Sequence, residues 1–246
     1  MTGFPYSLIE EPSPAGRLGL IVLQVDETIE GDFRRLFPDP ALTLHITRIP
    51  SGTELTPETI AGMAEGLPRA TALLPQVPMF DAVGYACTSG TLLLGPERVE
   101  DLVRRNCRTR RVCTPLTAAV EAFRHLGIAR LGLVSPYIAS VSEPLREAFV
   151  ASGVEVPNVV SFDESTEANV ARIDGRSLMA ATRAVADGVD AVFLSCTNLR
   201  TFEIIAPLEA ELGVPVLSSN SVFGWAMARD LPTWSRPHGP GRLFGS

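Results

Sequence analysis

Short apolar runs alternate with amphipathic stretches along most of this chain. Residues 17–23 (RLGLIVL) form a continuous apolar run, the signature of a strand buried on both faces of a parallel sheet. A helical stretch follows at 28–37, then an alternating run at 42–49 with Leu42, Leu44 and Ile46 on one face. Thr56-Pro57-Glu58 predicts a helix start, with Thr56 as N-cap and proline at the first helical position. That helix runs to about Gly66, is broken or kinked at Pro68, and resumes to Leu74. A strand at 81–86, a helix at 95–106 and a short strand at 111–113 complete a first unit.

The pattern then restarts. Thr114-Pro115 opens a helix to about Leu126, and 130–135 (RLGLVS) echoes the first strand. A helix at 142–152 with Ser142 as N-cap, a strand at 154–161, a helix at 175–187 and a strand at 190–195 follow. A helix at 201–212 closed by Gly213, a strand at 214–217 and a helix at 219–229 finish the ordered part. Residues 1–16 and 230–246 read as arms, irregular in the Pro/Gly-rich tail from Pro232.

Strands alternating with helices predict an α/β fold of two similar flavodoxin-like lobes, 17–113 and 114–218, with parallel sheets. A pseudo-twofold would relate them, and the last helix could pack back on the first lobe. Ligands of such sheets gather at the carboxyl ends of strands, which places the site in the cleft between lobes.

The repeat is sharpest at those strand ends. Gly84-Tyr85-Ala86-Cys87-Thr88-Ser89-Gly90 is matched by Phe193-Leu194-Ser195-Cys196-Thr197-Asn198, and the same interval separates Asp81 from Asp190. A thiol at a strand end before a helix start is placed for activation by free N–H groups. Thr88, Ser89 and Gly90, and Thr197 and Asn198, can offer hydroxyls and N–H groups to substrate carboxylates. Two opposed thiols can share proton traffic on a carbon held between them, one as base or nucleophile and the other as acid. A single strand-end cysteine is commonly structural; two at equivalent positions, each before threonine, argue for chemistry. Cys107 and Cys113 lack that setting and read as fillers.

Composition narrows the rest. With 246 residues and a net charge of −7, nothing points to nucleic acid, and no apolar run is long enough to span a membrane. The polar N-terminus lacks a signal-peptide pattern, and four cysteines suit free thiols in a reducing cytoplasm. His45, His125 and His238 are scattered, so no metal is expected, and the absence of glycine-rich phosphate motifs argues against a nucleotide cofactor.

Cys87-Thr88-Ser89-Gly90, Val134-Ser135-Pro136-Tyr137, Cys196-Thr197-Asn198 and Pro215-Val216-Leu217-Ser218-Ser219-Asn220 resemble the aspartate/glutamate racemase superfamily. The resemblance lies within the branch of maleate cis-trans isomerase, arylmalonate decarboxylase and ectoine-utilisation protein A, and covers 17–229. It implies a cofactor-independent isomerase or racemase acting on a small carboxylic or amino acid, in a homodimer or higher homo-oligomer. Carried over, Cys87 is the nucleophile, Cys196 the proton donor, and Tyr137 a hydrogen-bond partner of a substrate carboxylate. Asp26 stands where the maleate isomerase pattern has Asn, and the second family Asn falls near Glu167 or Asn169. An ionised Asp accepts hydrogen bonds only, so Asp26 is either protonated or faces a cation such as a substrate amine. It would also cap the following helix. Retention of Cys87 argues against the decarboxylase, which as the family is known keeps only the second thiol. A non-catalytic small-molecule binder on the same fold is the alternative of another class. A redox protein, which predicts a Cys87–Cys196 disulfide, is a weaker one without a Cys-x-x-Cys motif.

Overall fold

The computed structural model describes residues 3–10, 13, 15–52, 57–76, 79–231 and 237–245. The first half contains β1 (Gly16–Leu23), α1 (Ile29–Leu36), β2 (Leu42–Ile49), α2 (Pro57–Ala72), β3 (Phe80–Ala86), α3 (Thr88–Leu94), α4 (Pro96–Arg104) and β4 (Thr109–Cys113). The second contains α5 (Pro115–Leu126), β5 (Arg130–Tyr137), α6 (Ala139–Ala151), β6 (Glu155–Glu164), α7 (Glu167–Val170), α8 (Gly175–Ala184), β7 (Ala191–Leu194), α9 (Phe202–Leu212), β8 (Val216–Ser218) and α10 (Ser219–Ala228).

Each half forms one four-stranded parallel sheet, ordered β2-β1-β3-β4 and β6-β5-β7-β8. The order reverses beside β1 and β5, so both sheets have their switch point at corresponding places. The sequence echo is also an echo of register. Leu18 lies opposite Ala82, and Leu131 opposite Ala191. At the start of each sheet the equivalent aspartates do the same job. Asp81 accepts the Arg17 N–H at 2.9 Å, while Asp190 accepts those of Ala129 and Arg130 at 2.9 and 2.8 Å. These two repeated acids anchor strands at the end away from the thiols.

The apolar runs of β1, β3 and β7 are buried throughout, as strands covered on both faces must be. Helix α10 returns to the first sheet. A Cβ on Gly84 of β3 would meet the Phe223 ring at 2.3 Å, and one on Gly224 would meet Leu36 of α1 at 2.3 Å. Glycine at both positions lets α10 approach that closely. Residues 237–245 of the C-terminal tail are tied to the rest of the chain. His238 N–H donates to Leu36 O at 2.9 Å, Arg242 N–H to Glu209 Oε2 at 2.8 Å, and Leu243 is buried within a single 3₁₀ turn, Arg242–Phe244. At the other end Phe4, Tyr6, Leu8 and Ile9 are exposed.

Several local expectations change. Helix α2 passes through Pro68 without interruption, while the Thr56 cap lies outside the described residues. Helix α6 starts at Ala139, so Ser142 is not its cap; its hydroxyl donates to Tyr137 O at 2.9 Å and pairs with Ser135 Oγ at 2.8 Å. The hydroxyl is drawn to the end of β5, whose last residues extend to Tyr137. The short helices α3 and α7 are additions. Among the described residues no helix is long and apolar enough to cross a membrane, and no cluster of three or more His, Cys, Asp or Glu could hold a metal ion.

Candidate active site

Four chain segments meet at the carboxyl ends of the strands: the turn after β1, the loop after β3, the segment after β6, and the loop after β7. Helix α10 locks them from below. Its Ser219 Oγ accepts the Cys196 N–H at 3.0 Å and pairs with Thr88 Oγ1 at 3.0 Å, so one hydroxyl joins both Cys-Thr loops. Its Asn220 Nδ2 donates to Thr197 O and to Asp32 Oδ2, both at 2.8 Å. Thr197 Oγ1 reaches Ala86 O at 3.4 Å, directly across the lobes.

Cys87 ends β3 and caps α3. Its Sγ accepts the Gly90 N–H at 3.1 Å and lies 3.7 Å from Ser89 Oγ. Gly90 is fixed by crowding, since a Cβ there would sit 2.5 Å from Tyr85 Oη and 2.8 Å from Cys87 Sγ. Cys196 is built differently. No helix follows until α9, and its φ of 131° puts a non-glycine residue in a strained region. Its Sγ accepts the Asn198 N–H at 3.4 Å.

The expected activation of the thiols by backbone N–H groups is outweighed. Burial pushes Cys87 up to about 11, against the lowering effect of Ser89 and the Gly90 N–H. Burial pushes Cys196 well above its usual range, and the negative charge of Glu167 adds to it. Desolvation disfavours an anion more than one or two N–H contacts favour it here.

Each thiol has a buried tyrosine beside it. Tyr137, at the end of β5, lies close enough to Cys196 and Cys87 for each to influence its hydroxyl. Tyr85, two residues before Cys87, donates to Met63 Sδ at 3.4 Å. Burial raises both phenols well above the usual tyrosine range, so both are neutral donors at physiological pH.

The N-cap of α1 is Thr28, so Asp26 is not the cap the sequence suggests; from two residues upstream its Oδ1 accepts the N–H groups of Thr28 and Ile29 at 2.8 and 2.9 Å. Its other oxygen, Oδ2, is buried with no hydrogen-bond partner. Burial raises its pKa despite those two bonds. Arg48 holds the turn in place by donating to the carbonyls of Leu23, Gln24 and Asp26. Asn198 ties the turn to the other lobe. It accepts the Glu27 N–H at 2.8 Å and donates to Glu167 Oε2 at 3.1 Å.

Glu167 and Asn169 have different surroundings. Glu167, the first residue of α7, is buried, and its charge is felt by Cys87, Cys196 and Tyr137. Burial lifts its carboxyl to about 7. Asn169 instead points outward and donates to Glu164 Oε2 at 3.1 Å. Two residues apart on a helix, they point roughly 200° from one another, to opposite sides. Thr88, Ser89, Gly90, Thr197 and Asn198 all lie in the assembled cluster. Tyr85, Asp32, Arg48, Ser219 and Asn220 join it as well, none of them expected there as a site residue. Tyr85 has one usable signal, its position two before Cys87 on one strand face. Ser219 and Asn220 are signalled only as part of a motif.

Two parallel α/β lobes carrying paired thiols at matched strand ends define a two-cysteine, two-lobed α/β protein. Residues 19–244 match the arylmalonate decarboxylase family model, and the chain belongs to that family. It is 28% identical over 240 residues to a maleate isomerase of Nocardia farcinica, covering 93% of this chain and 95% of that one. It is 35% identical over 139 residues to an arylmalonate decarboxylase of Bordetella bronchiseptica, covering 54% and 57%. A crystal structure of the maleate isomerase Iso from Pseudomonas putida S16, a cysteine-to-alanine variant with maleate, superimposes with a TM-score of 0.83 at 27% identity, covering 93% of this chain and 97% of that one.

Proposed function

We propose that this chain is a cofactor-independent isomerase, maleate-isomerase-like, acting at a carbon beside a carboxylate through Cys87 and Cys196. The observation that carries this reading is the pairing itself: two buried thiols at equivalent strand ends, in loops joined by Ser219. Relatives named maleate isomerase over nearly the whole length support it.

Cys87 is the nucleophile in this reading, because it caps a helix in unstrained extended backbone and its Sγ already accepts the Gly90 N–H. For a cis–trans isomerisation the Cys87 thiolate adds to one alkene carbon. The alkene electron pair moves to the neighbouring carbon, which takes a proton from Cys196. After rotation about the new single bond, the Cys196 thiolate recovers the proton and the C–S bond breaks. For a racemisation one thiolate removes the α-proton and the opposite thiol supplies another to the other face. Neither sequence needs an oxidant or a metal. Thr88, Ser89 and Thr197 hold carboxylate oxygens and Tyr137 donates beside Cys196, while Asn198, expected to do the same, is committed to Glu27, Glu167 and the Cys196 sulfur. A small carboxylic or amino acid substrate, a cytoplasmic setting and a homodimer complete the reading.

The test is proton NMR in D₂O with maleate, aspartate, glutamate and phenylmalonate, without added cofactor. Conversion or α-deuteration of at least one acid, lost in both Cys87→Ala and Cys196→Ala, is expected. Decarboxylation of phenylmalonate that survives Cys87→Ala would replace this reading with a one-thiol decarboxylase.

A further inference from the structure

The mechanism gives Tyr85 no task. The residue is fully buried on β3, and its hydroxyl donates to the Met63 thioether at 3.4 Å. A thioether is a weak acceptor, so a buried phenol commits its one proton to a poor partner. A better one stands beside it. A Cβ on Gly90 would lie 2.5 Å from Tyr85 Oη and 2.8 Å from Cys87 Sγ, so the hydroxyl and the sulfur border the same spot. They are close enough for each to influence the other's ionisation. The duplicated frame shows that packing does not require this hydroxyl. The interval that carries Cys87 onto Cys196 carries Tyr85 onto Leu194, equally buried in β7. An aliphatic side chain therefore fills that strand position in the second lobe. The tyrosine near Cys196 is Tyr137, which comes from the neighbouring strand β5.

As a thiolate, Cys87 has the Gly90 N–H at 3.1 Å and, further off at 3.7 Å, Ser89 Oγ as donors. A buried anion needs more than that. We propose that Tyr85 is a positioning residue for Cys87: its hydroxyl rests on Met63 while the sulfur is protonated or bonded to carbon, and turns to the sulfur when Cys87 is a thiolate. The inference rests on the reading of Cys87 as the nucleophile. The turn is a rotation of the O–H bond, and no proton changes owner. It follows acceptor strength, because an ionised sulfur is a far better acceptor than a thioether. Once Cys87 has added to an alkene carbon its sulfur is a thioether as well, and the hydroxyl can return to Met63. When the C–S bond breaks, the departing thiolate regains the donor.

The experiment follows alkylation of Cys87 by iodoacetamide in the full chain, read by peptide mapping between pH 8 and 10. Glu167, which titrates at about 7, and Tyr137 are the other titratable groups that act on Cys87 or feel it, and across this range one is ionised and the other neutral. Wild type, Tyr85→Phe and Met63→Leu are compared, with circular dichroism confirming the fold. Removing the hydroxyl should displace the rate–pH profile upward by about half a unit, about threefold slower at fixed pH, since a scarcer thiolate is also a more reactive one. Met63→Leu removes the resting partner and should displace the profile downward, which carries the test should Tyr85→Phe fail to fold. On whichever acid the wild type converts, Tyr85→Phe should lower kcat about threefold with KM unchanged, because the hydroxyl does not touch substrate. Coincident profiles, displacement of both variants in one direction, equal slowing at Cys196 in the same digests, or a Cys87 that iodoacetamide does not modify overturns the inference. An unmoved profile beside Cys87-dependent turnover sinks the Tyr85 role alone, and a displaced profile without turnover of any acid sinks the isomerase reading alone.

Discussion

Cys87 and Cys196 end equivalent strands of equivalent sheets, yet their surroundings differ in kind. Cys87 sits in ordinary extended backbone (φ −149°) as the cap of a helix, while Cys196 is held at φ 131° with no helix behind it. The first station is stabilised locally, by its own loop. The second is held largely by neighbours from elsewhere: Ser219 on its N–H and Asn220 on the carbonyl of Thr197, with Asn198 on its sulfur. A duplicated frame thus supplies two thiols, and unlike backbones and neighbours hold them. An isomerase that attacks with one sulfur and protonates with the other has a use for that difference.

The largest effect expected is on turnover. Cys87→Ala or Cys196→Ala should each lower it by about 10³-fold or more, and the double variant should be little worse, because the two act as a unit. Steady-state rates of all three variants check this. Independent, additive losses would mean that the lobes do not cooperate.

Next is the pH dependence of stability, which separates the lobes by their acids. Glu167 titrates at about 7 in the folded chain against 4.5 for an ordinary glutamate, so its carboxyl is favoured in the protonated form. Its contribution is fully present below about pH 4.5 and is lost as pH rises through about 7, a change on the order of 3 kcal/mol. Asp32 in the first lobe, raised to about 6, acts in the same direction over a lower and narrower window. Urea unfolding across this range should show stability falling with pH, and Glu167→Gln should flatten the upper part of the slope.

Gly90→Ala tests the first station. The new methyl would press on Cys87 Sγ and Tyr85 Oη, and a thiol displaced by a fraction of an ångström to an ångström should cost about 10²-fold in rate with the fold retained. Circular dichroism and turnover together distinguish this from unfolding. The smallest effect lies at the second station. Cys196→Gly should be more stable than Cys196→Ala by about 1 kcal/mol, because glycine accepts the positive φ, whereas at position 87 the order should reverse. Denaturant midpoints of the four variants check it. Equal ordering at both positions would remove the claimed backbone contrast.

Much of the frame can be read from the chain because its repeats are local. RLGL at 17–20 and 130–133 sits on strands whose register the structure repeats, and the Cys-Thr pairs follow the ends of strands in both sheets. The contacts that finish the site are not local. Ser219, Asn220 and Asp32 come together from α10 and α1, far apart in sequence, and Tyr85 is hidden inside an apolar strand. Helix α3 has seven residues and α7 four, too short for a helical period to emerge. The ionisation of the thiols is illegible for a similar reason. The helix start beside Cys87 is visible in sequence, but the depth of burial that outweighs it is a property of the packed lobes.

The unequal roles of the two thiols are tested most directly by intact-protein mass spectrometry of Cys87→Ala and Cys196→Ala after incubation with maleate, followed by peptide mapping. The expected result is one covalent adduct on Cys87 in Cys196→Ala and none in Cys87→Ala. An adduct on Cys196 in Cys87→Ala, or on neither thiol in either variant, would contradict the assignment of Cys87 as nucleophile.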